Sequence, residues 1–315
     1  MTQPAFVWEK LGLVYEPPGD GSWRHGFGQM PVVADLSDRR RVFFSVRAPR
    51  GADGLFKSNM YWIDVALDDP MRVLGQAQAP LLPFGRPGAF DEHGLMPSSI
   101  NWSDDVLRMY YCGWMRLAGV PYSMAIGLAE SRDGGETFAK YGEGPLFSRT
   151  PAEPFLEGGP CVRHDGESWH MMYTSGTGWI DGEAIYVIKH ARSHDGIVWE
   201  RDGKAVVAEV VDNECQARPT VIKIGDRWHM WFSYRYGLEF RGDAGRGYRI
   251  GYAWSDDLIT WQRDDALAGL KPSATGWDSE IVCYPYVFET GADLFMYYNG
   301  NDFGRAGFGC AKLVR

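Results

Sequence analysis

Five times along this chain of 315 residues, a proline introduces an apolar, β-rich run. The prolines are Pro31, Pro97, Pro160, Pro219 and Pro285, spaced 66, 63, 59 and 66 residues apart. Each is followed by an aromatic strand: Val42-Phe43-Phe44, Met109-Tyr110-Tyr111, Met171-Met172-Tyr173, Met230-Trp231-Phe232 and Met296-Tyr297-Tyr298. Near-regular self-similarity of this kind marks a repeat architecture. Radial repeats bring equivalent positions, distant in sequence, to one central axis.

A second pattern completes the units. The apolar runs 125–129, 187–191 and 250–254 lead into Ser131-Arg132-Asp133-Gly134, Ser193-His194-Asp195-Gly196 and Ser255-Asp256-Asp257. Each reads as a third strand, a tight turn, and an outer strand opened by Phe138, Trp199 or Trp261. Ser and Asp side chains bond their own backbone in such turns. These turns resemble the Asp-boxes of sialidases and are expected on the outer rim, where they mark units rather than chemistry. The last unit has strands near Tyr286, Phe295 and Phe308 but ends at Arg315 without an outer one, while residues 6–11 form a spare strand before the first unit. Pairing the two removes both open edges. The chain is therefore expected to be all-β: a five-bladed β-propeller of four-stranded antiparallel blades, one domain over residues 1–315, with the ring closed by the N-terminal strand.

Acidic residues outnumber basic ones by 41 to 32, for a net charge of -9. That balance argues against nucleic acid or an anionic membrane as partner, since both reward clustered Lys and Arg. No apolar run has bilayer length, and the first residues lack the pattern of a secretory signal. Cys112, Cys161, Cys215, Cys283 and Cys310 show no C-x-x-C spacing and read as buried free thiols. A cytoplasmic protein is expected.

The residues before each proline should converge at one mouth of the ring. In order they include His25 and Gln29; Asp91, Glu92 and His93; Glu157; Glu214 and Arg218; and Trp277, Asp278, Glu280 and Tyr284. Every unit contributes a His or a carboxylate, and charged groups are seldom buried unless paired or functional. His25 and His93 read either as ligands or as hydrogen-bonded supports. Glu214 and Arg218, four apart in an extended segment, face the same way, as a structural ion pair or a substrate clamp. Glu280 shares that spacing with Tyr284, and Trp277 beside it offers an apolar wall to a sugar face. Other polar and aromatic groups follow the second strands, among them Arg47, Trp114 and Arg235. Arg235, between Tyr234 and Tyr236, is singled out as an anion ligand. No metal constellation is convincing, and no cofactor is expected.

With these features the chain resembles the five-bladed β-propeller glycosidase superfamily, the furanosidase-like clan of arabinanases, xylosidases and invertases, with mannoside phosphorylases nearby. The resemblance implies a carbohydrate-active enzyme that cleaves or transfers a glycosyl unit of a small glycoside or activated sugar by carboxylate acid/base catalysis. Glu157, in Glu-Gly-Gly-Pro, resembles the third-blade acid, and Asp91 or Glu92 the second-blade carboxylate. Where the family carries Asp-Pro in the first blade, this sequence has Gln29-Met30-Pro31. The base opposite the acid then falls to Glu280 or Glu214. Alternatively, Arg218, Arg235 and His25 hold a phosphate, as in a phosphorylase, or the protein is a non-catalytic sugar-binding propeller in glycan or glycosylated-metabolite biosynthesis.

Overall fold

The structure is a computed structural model and describes residues 5–314. Strand β1 (Trp8–Tyr15) comes first, followed by four strands in each of four consecutive units. The first unit holds β2 (Gly26–Asp35), β3 (Arg40–Arg47), β4 (Ser58–Val65) and β5 (Val73–Gln76). The second holds β6 (Gly94–Ser103), β7 (Val106–Met115), β8 (Ser123–Ser131) and β9 (Ala139–Lys140). The third holds β10 (Glu157–His164), β11 (Trp169–Ile180), β12 (Glu183–Ser193) and β13 (Glu200–Ala205). The fourth holds β14 (Cys215–Ile224), β15 (Arg227–Arg235), β16 (Arg249–Ser255) and β17 (Gln262–Arg263). The chain ends with β18 (Cys283–Thr290), β19 (Asp293–Asn299) and β20 (Phe308–Leu313).

Within each unit the strands pair antiparallel in chain order. One parallel bridge, Ser58 to Gly94, joins the first two units into a single sheet. The last three strands gain their fourth from the other end of the chain, because β1 pairs antiparallel with β20, Trp8 against Leu313 and Tyr15 against Phe308. The first strands touch in cyclic order: β2 meets β6, β6 meets β10, β10 meets β14, β14 meets β18, and β18 returns to β2. No helix among the described residues is long and apolar enough to cross a membrane.

The second strands form the core. Phe43, Phe44, Tyr110, Tyr111, Met172, Tyr173, Trp231, Phe232, Tyr297 and Tyr298 are all fully buried. Successive residues of a strand point to opposite faces, so consecutive bulky residues require a sheet covered on both sides. Each Ser-x-Asp turn closes on itself: Ser131, Ser193 and Ser255 donate to Asp133, Asp195 and Asp257 at 2.7, 3.0 and 2.9 Å. Those carboxylates in turn accept backbone N–H groups of the next residues, as Asp195 does from Ile197 and Val198. The aromatics that follow lodge against the preceding unit, Phe138 on Phe43 and Trp199 on Tyr110. All five cysteines are free and buried.

The repeated prolines lie inside the first strands, each at a break in ladder register. Proline has no N–H to give to a ladder and is tolerated where pairing lapses. In four units the residue before the proline is left-handed: Met30, Gly159, Arg218 and Tyr284 have φ of 58, 52, 53 and 53°. Side chains of adjacent units satisfy the backbone around these breaks. Asn299 accepts the Met30 N–H at 2.9 Å, and Ser233 that of Tyr284 at 2.7 Å.

Candidate functional site

The four left-handed residues share one destination. Met30, Gly159, Arg218 and Tyr284 all line a cavity of about 400 Å³ where the first strands converge, with Met96 contributed by β6. Three of the four are not glycine, and each stands directly before a proline, where helical backbone is disfavoured. Left-handed backbone costs such a residue about 1–2 kcal/mol. Strain of this kind clusters at binding sites.

The cavity wall is aromatic and cationic. Trp114, Tyr122, Tyr186, Phe240, Tyr248 and Tyr284 supply rings; Arg47, Arg218, Arg235 and Arg241 supply charge. Arg218 is almost wholly buried and donates to the carbonyls of Ser98 (2.6 Å) and Pro31 (3.2 Å). Arg235 is likewise buried and donates to the carbonyls of Tyr236 and Gly237 and to the Tyr186 hydroxyl. Its guanidinium lies 3.6 Å from the Phe240 ring centroid. Arg47 is held between Phe27 and Phe56, at 4.3 and 5.3 Å from their centroids. None of these three forms a salt bridge among the described residues. Burial pulls the Arg47 and Arg218 guanidinium groups down to about 10, which still leaves both charged at neutral pH. The carboxylate on the wall is Glu183, paired with Arg241 at 2.9 Å.

Several wall groups have unmet hydrogen-bonding capacity. Gln29 Oε1, Thr174 Oγ1 and the Nε atoms of Arg47, Arg218 and Arg235 are buried without a partner. Such groups are expensive to leave unpaired. A second hollow of about 450 Å³ lies beside the β6–β7 turn around Asp104, Arg108 and Arg132, at the far end of these strands from the residues before the prolines. Among the described residues no group of three or more His, Cys, Asp and Glu side chains is placed to hold a metal ion.

Of the expected site residues, Gln29, Arg218, Arg235 and Tyr284 come together on this wall. The three glutamates do not. Glu157 is fully buried off this wall, with neither carboxylate oxygen hydrogen-bonded. Burial, with Glu153 nearby, pushes its pKa up to about 7 against the pull of Arg201. Glu214 is tied to Arg263 at 2.6 Å, to Gln216, and to the N–H groups of Val210 and Val211. Its expected alignment with Arg218 fails because the register break between Ala217 and Thr220 interrupts the two-residue alternation. Glu280 sits exposed in the turn before β18, where its backbone N–H donates to Asn301.

The remaining expected ligands have structural partners. His25 accepts the Gly21 N–H within its own loop. Asp91 receives Lys140 at 2.6 Å and Tyr111 at 2.9 Å. Glu92 accepts the Gly88 N–H, and His93 packs beside Trp114. Asp278 receives Lys10 at 2.5 Å and Tyr298 at 3.0 Å, and Trp277 stacks on the Tyr298 ring instead of offering a face to the cavity. What sequence reasoning passed over is Glu183, Thr174, Tyr186 and Tyr248. They lie beyond or between the repeated motifs, on β11, β12 and the approach to β16, and carry no periodic signal.

No protein-family model matches the chain. Two proteins of Mycobacterium tuberculosis, MT1551 of strain CDC 1551 and Rv1502 of strain H37Rv, are each 33% identical to it over 311 residues. The match covers 98% of this chain and 99% of each relative, and both relatives are described as uncharacterized. This protein belongs to their family. In solved structures the same fold recurs. A complex of BT0996 with RGII superposes with a TM-score of 0.76 at 19% identity, covering 98% of this chain and 92% of that one. A glycoside hydrolase gives a TM-score of 0.76 at 18% identity with the same coverage. A structure reported for the GH130 family of mannoside phosphorylases, containing glycoside hydrolases that target β-1,2 mannosidic linkages in Candida mannan, gives 0.68 at 13% identity, covering 99% and 95%. The family thus has the fold of glycoside hydrolases, as the resemblance of the sequence implied.

Proposed function

We propose that the protein is one five-bladed β-propeller that binds a small sugar or sugar conjugate in its central cavity. Five four-stranded units, first strands in cyclic contact and a shared β1–β20 sheet support the propeller reading. The observation that carries the binding site is the wall itself: aromatic rings interleaved with buried polar groups, such as Gln29 Oε1 and Thr174 Oγ1, that lack protein partners. Sugar hydroxyls supply donors and acceptors to such groups, while rings cover the apolar sugar face. Free buried thiols suit a reducing compartment, and the cytoplasm remains our assignment.

Hydrolysis by the glutamates is not favoured, because the acid and base of a glycosidase must flank one bond and Glu157, Glu214 and Glu280 do not line the cavity. A second reading, cleavage or transfer of the bound glycosyl unit, rests on Glu183, whose carboxylate is on the wall. Titration with a panel of monosaccharides, followed by tryptophan fluorescence, tests the first reading: saturable binding is expected, weakened at least about tenfold in Trp114→Ala. Absence of binding across the panel overturns it. Product formation from aryl glycosides, with or without phosphate, that vanishes in Glu183→Gln selects the second reading.

A further inference from the structure

We propose that the ligand of this cavity carries a phosphate group, held by Arg47, Arg218 and Arg235. The proposal rests on the sugar-binding reading and specifies its substrate class: a phosphorylated sugar rather than a neutral one.

The argument starts from charge. A buried guanidinium without a counter-charge is costly, commonly by several kcal/mol, and proteins pair it when they can. Elsewhere this chain does so at several sites: Arg41 meets Asp64 and Glu136, Arg201 meets Glu153, and Arg263 meets Glu214 and Asp265, while Arg163 is held by the Val162 and Val221 carbonyls. Three of the four arginines on the cavity wall are the contrast. Arg218 and Arg235 are at least nine-tenths buried, yet their partners are carbonyls and a hydroxyl. Arg47 has aromatic rings on its flanks and no hydrogen-bond partner among the described residues. Glu183 does not offset them, since Arg241 already engages it.

The backbone contributes as well. Arg218 owes its place on the wall to the left-handed conformation at the β14 bulge, φ 53°. Glycine would accept that conformation more cheaply, so the arginine is held there against a local preference. Three cations lining one cavity exceed what one carboxylate neutralises. A phosphate monoester carries a charge of roughly -1.5 to -2 near neutral pH and offers three acceptor oxygens, and the guanidinium fork matches it geometrically.

Isothermal titration of the full chain with glucose 1-phosphate, glucose 6-phosphate, glucuronate, glucose and inorganic phosphate tests this. At least one phosphosugar is expected to bind about tenfold or more tightly than glucose, with affinity falling as salt is raised. Arg47→Gln, which breaks no hydrogen bond within the protein, should lower the ratio of phosphosugar to glucose affinity at least about tenfold; Arg47→Lys should keep part of that ratio. Glucose binding as tightly as either phosphosugar, or Arg47→Gln retaining the full preference, overturns the proposal. Glucuronate binding more tightly than the phosphosugars overturns the phosphate assignment in favour of a carboxylate. Inorganic phosphate binding in an Arg47-dependent way with no sugar bound would leave the anion site standing and remove the sugar reading.

Discussion

Arg218 and Glu214, four residues apart at the start of β14, do not meet: Arg218 reaches the Ser98 and Pro31 carbonyls, whereas Glu214 is bound by Arg263 at 2.6 Å. The bulge at Arg218 separates a cavity-lining cation from a structural ion pair. Arg263→Met strands the Glu214 carboxylate in the interior, and breaking one side of a buried pair costs about 3–5 kcal/mol. Urea unfolding should register that loss. Arg263→Lys should recover part of it, and ligand affinity of the folded fraction should not change.

Glu157 predicts a pH dependence. Its folded pKa is near 7 against an ordinary 4.5, so folding favours the protonated acid. The associated stability is fully present below about pH 4.5 and is lost as pH rises through 7. That difference corresponds to roughly 3 kcal/mol. In Glu157→Gln the side chain no longer titrates, so the fall in stability between pH 5 and pH 8 should flatten. Parallel curves for parent and variant would refute the assignment.

The rim turns should behave as independent stability elements. Asp195→Ala removes the acceptor for Ser193, Ile197 and Val198, a loss of about 1–2 kcal/mol. Asp257→Ala removes the equivalent acceptor in the next unit. The two losses should add, since separated sites rarely couple, and sugar binding should be unaffected. Thermal unfolding of single and double variants checks this.

Gly159 occupies the left-handed position of β10 with φ 52°, and a Cβ there would lie 3.3 Å from Thr174 Oγ1. Gly159→Val should cost about 1–2 kcal/mol from backbone strain alone and also narrow the cavity. Unfolding and binding measured together separate the two effects.

Much of the architecture was legible because it is written periodically. The paired bulky residues of the second strands, the Ser-x-Asp turns and the unpaired ends at Phe6 and Phe308 each repeat or complement one another, and burial on two faces demands that pattern. The site was legible only in part. Gln29, Arg218 and Tyr284 are found by aligning the prolines, since they sit at or next to the bulge, and Arg235 by its place between two tyrosines at the end of a second strand. Glu157, Glu214 and Glu280 share that alignment, but all three come before the bulge: Glu157 opens β10, Glu214 stands one residue ahead of β14, and Glu280 lies in the turn ahead of β18. Glu183 and Thr174 belong to stretches whose place at the cavity depends on how neighbouring sheets pack.

The pairing of Trp8 with Leu313 has a consequence for how the molecule is made. A nascent chain emerging from the ribosome carries β1 through the synthesis of every strand from β2 to β19 before β20 exists to receive it. Throughout that interval the Trp8 indole, which in the finished fold packs on Trp231 and donates to the Ala268 carbonyl, has no completed seat. Contacts between such distant segments form slowly and leave sticky edges exposed meanwhile. A product that stops short of β20 therefore lacks the clasp altogether, so this sheet is completed only when two segments nearly three hundred residues apart are both present.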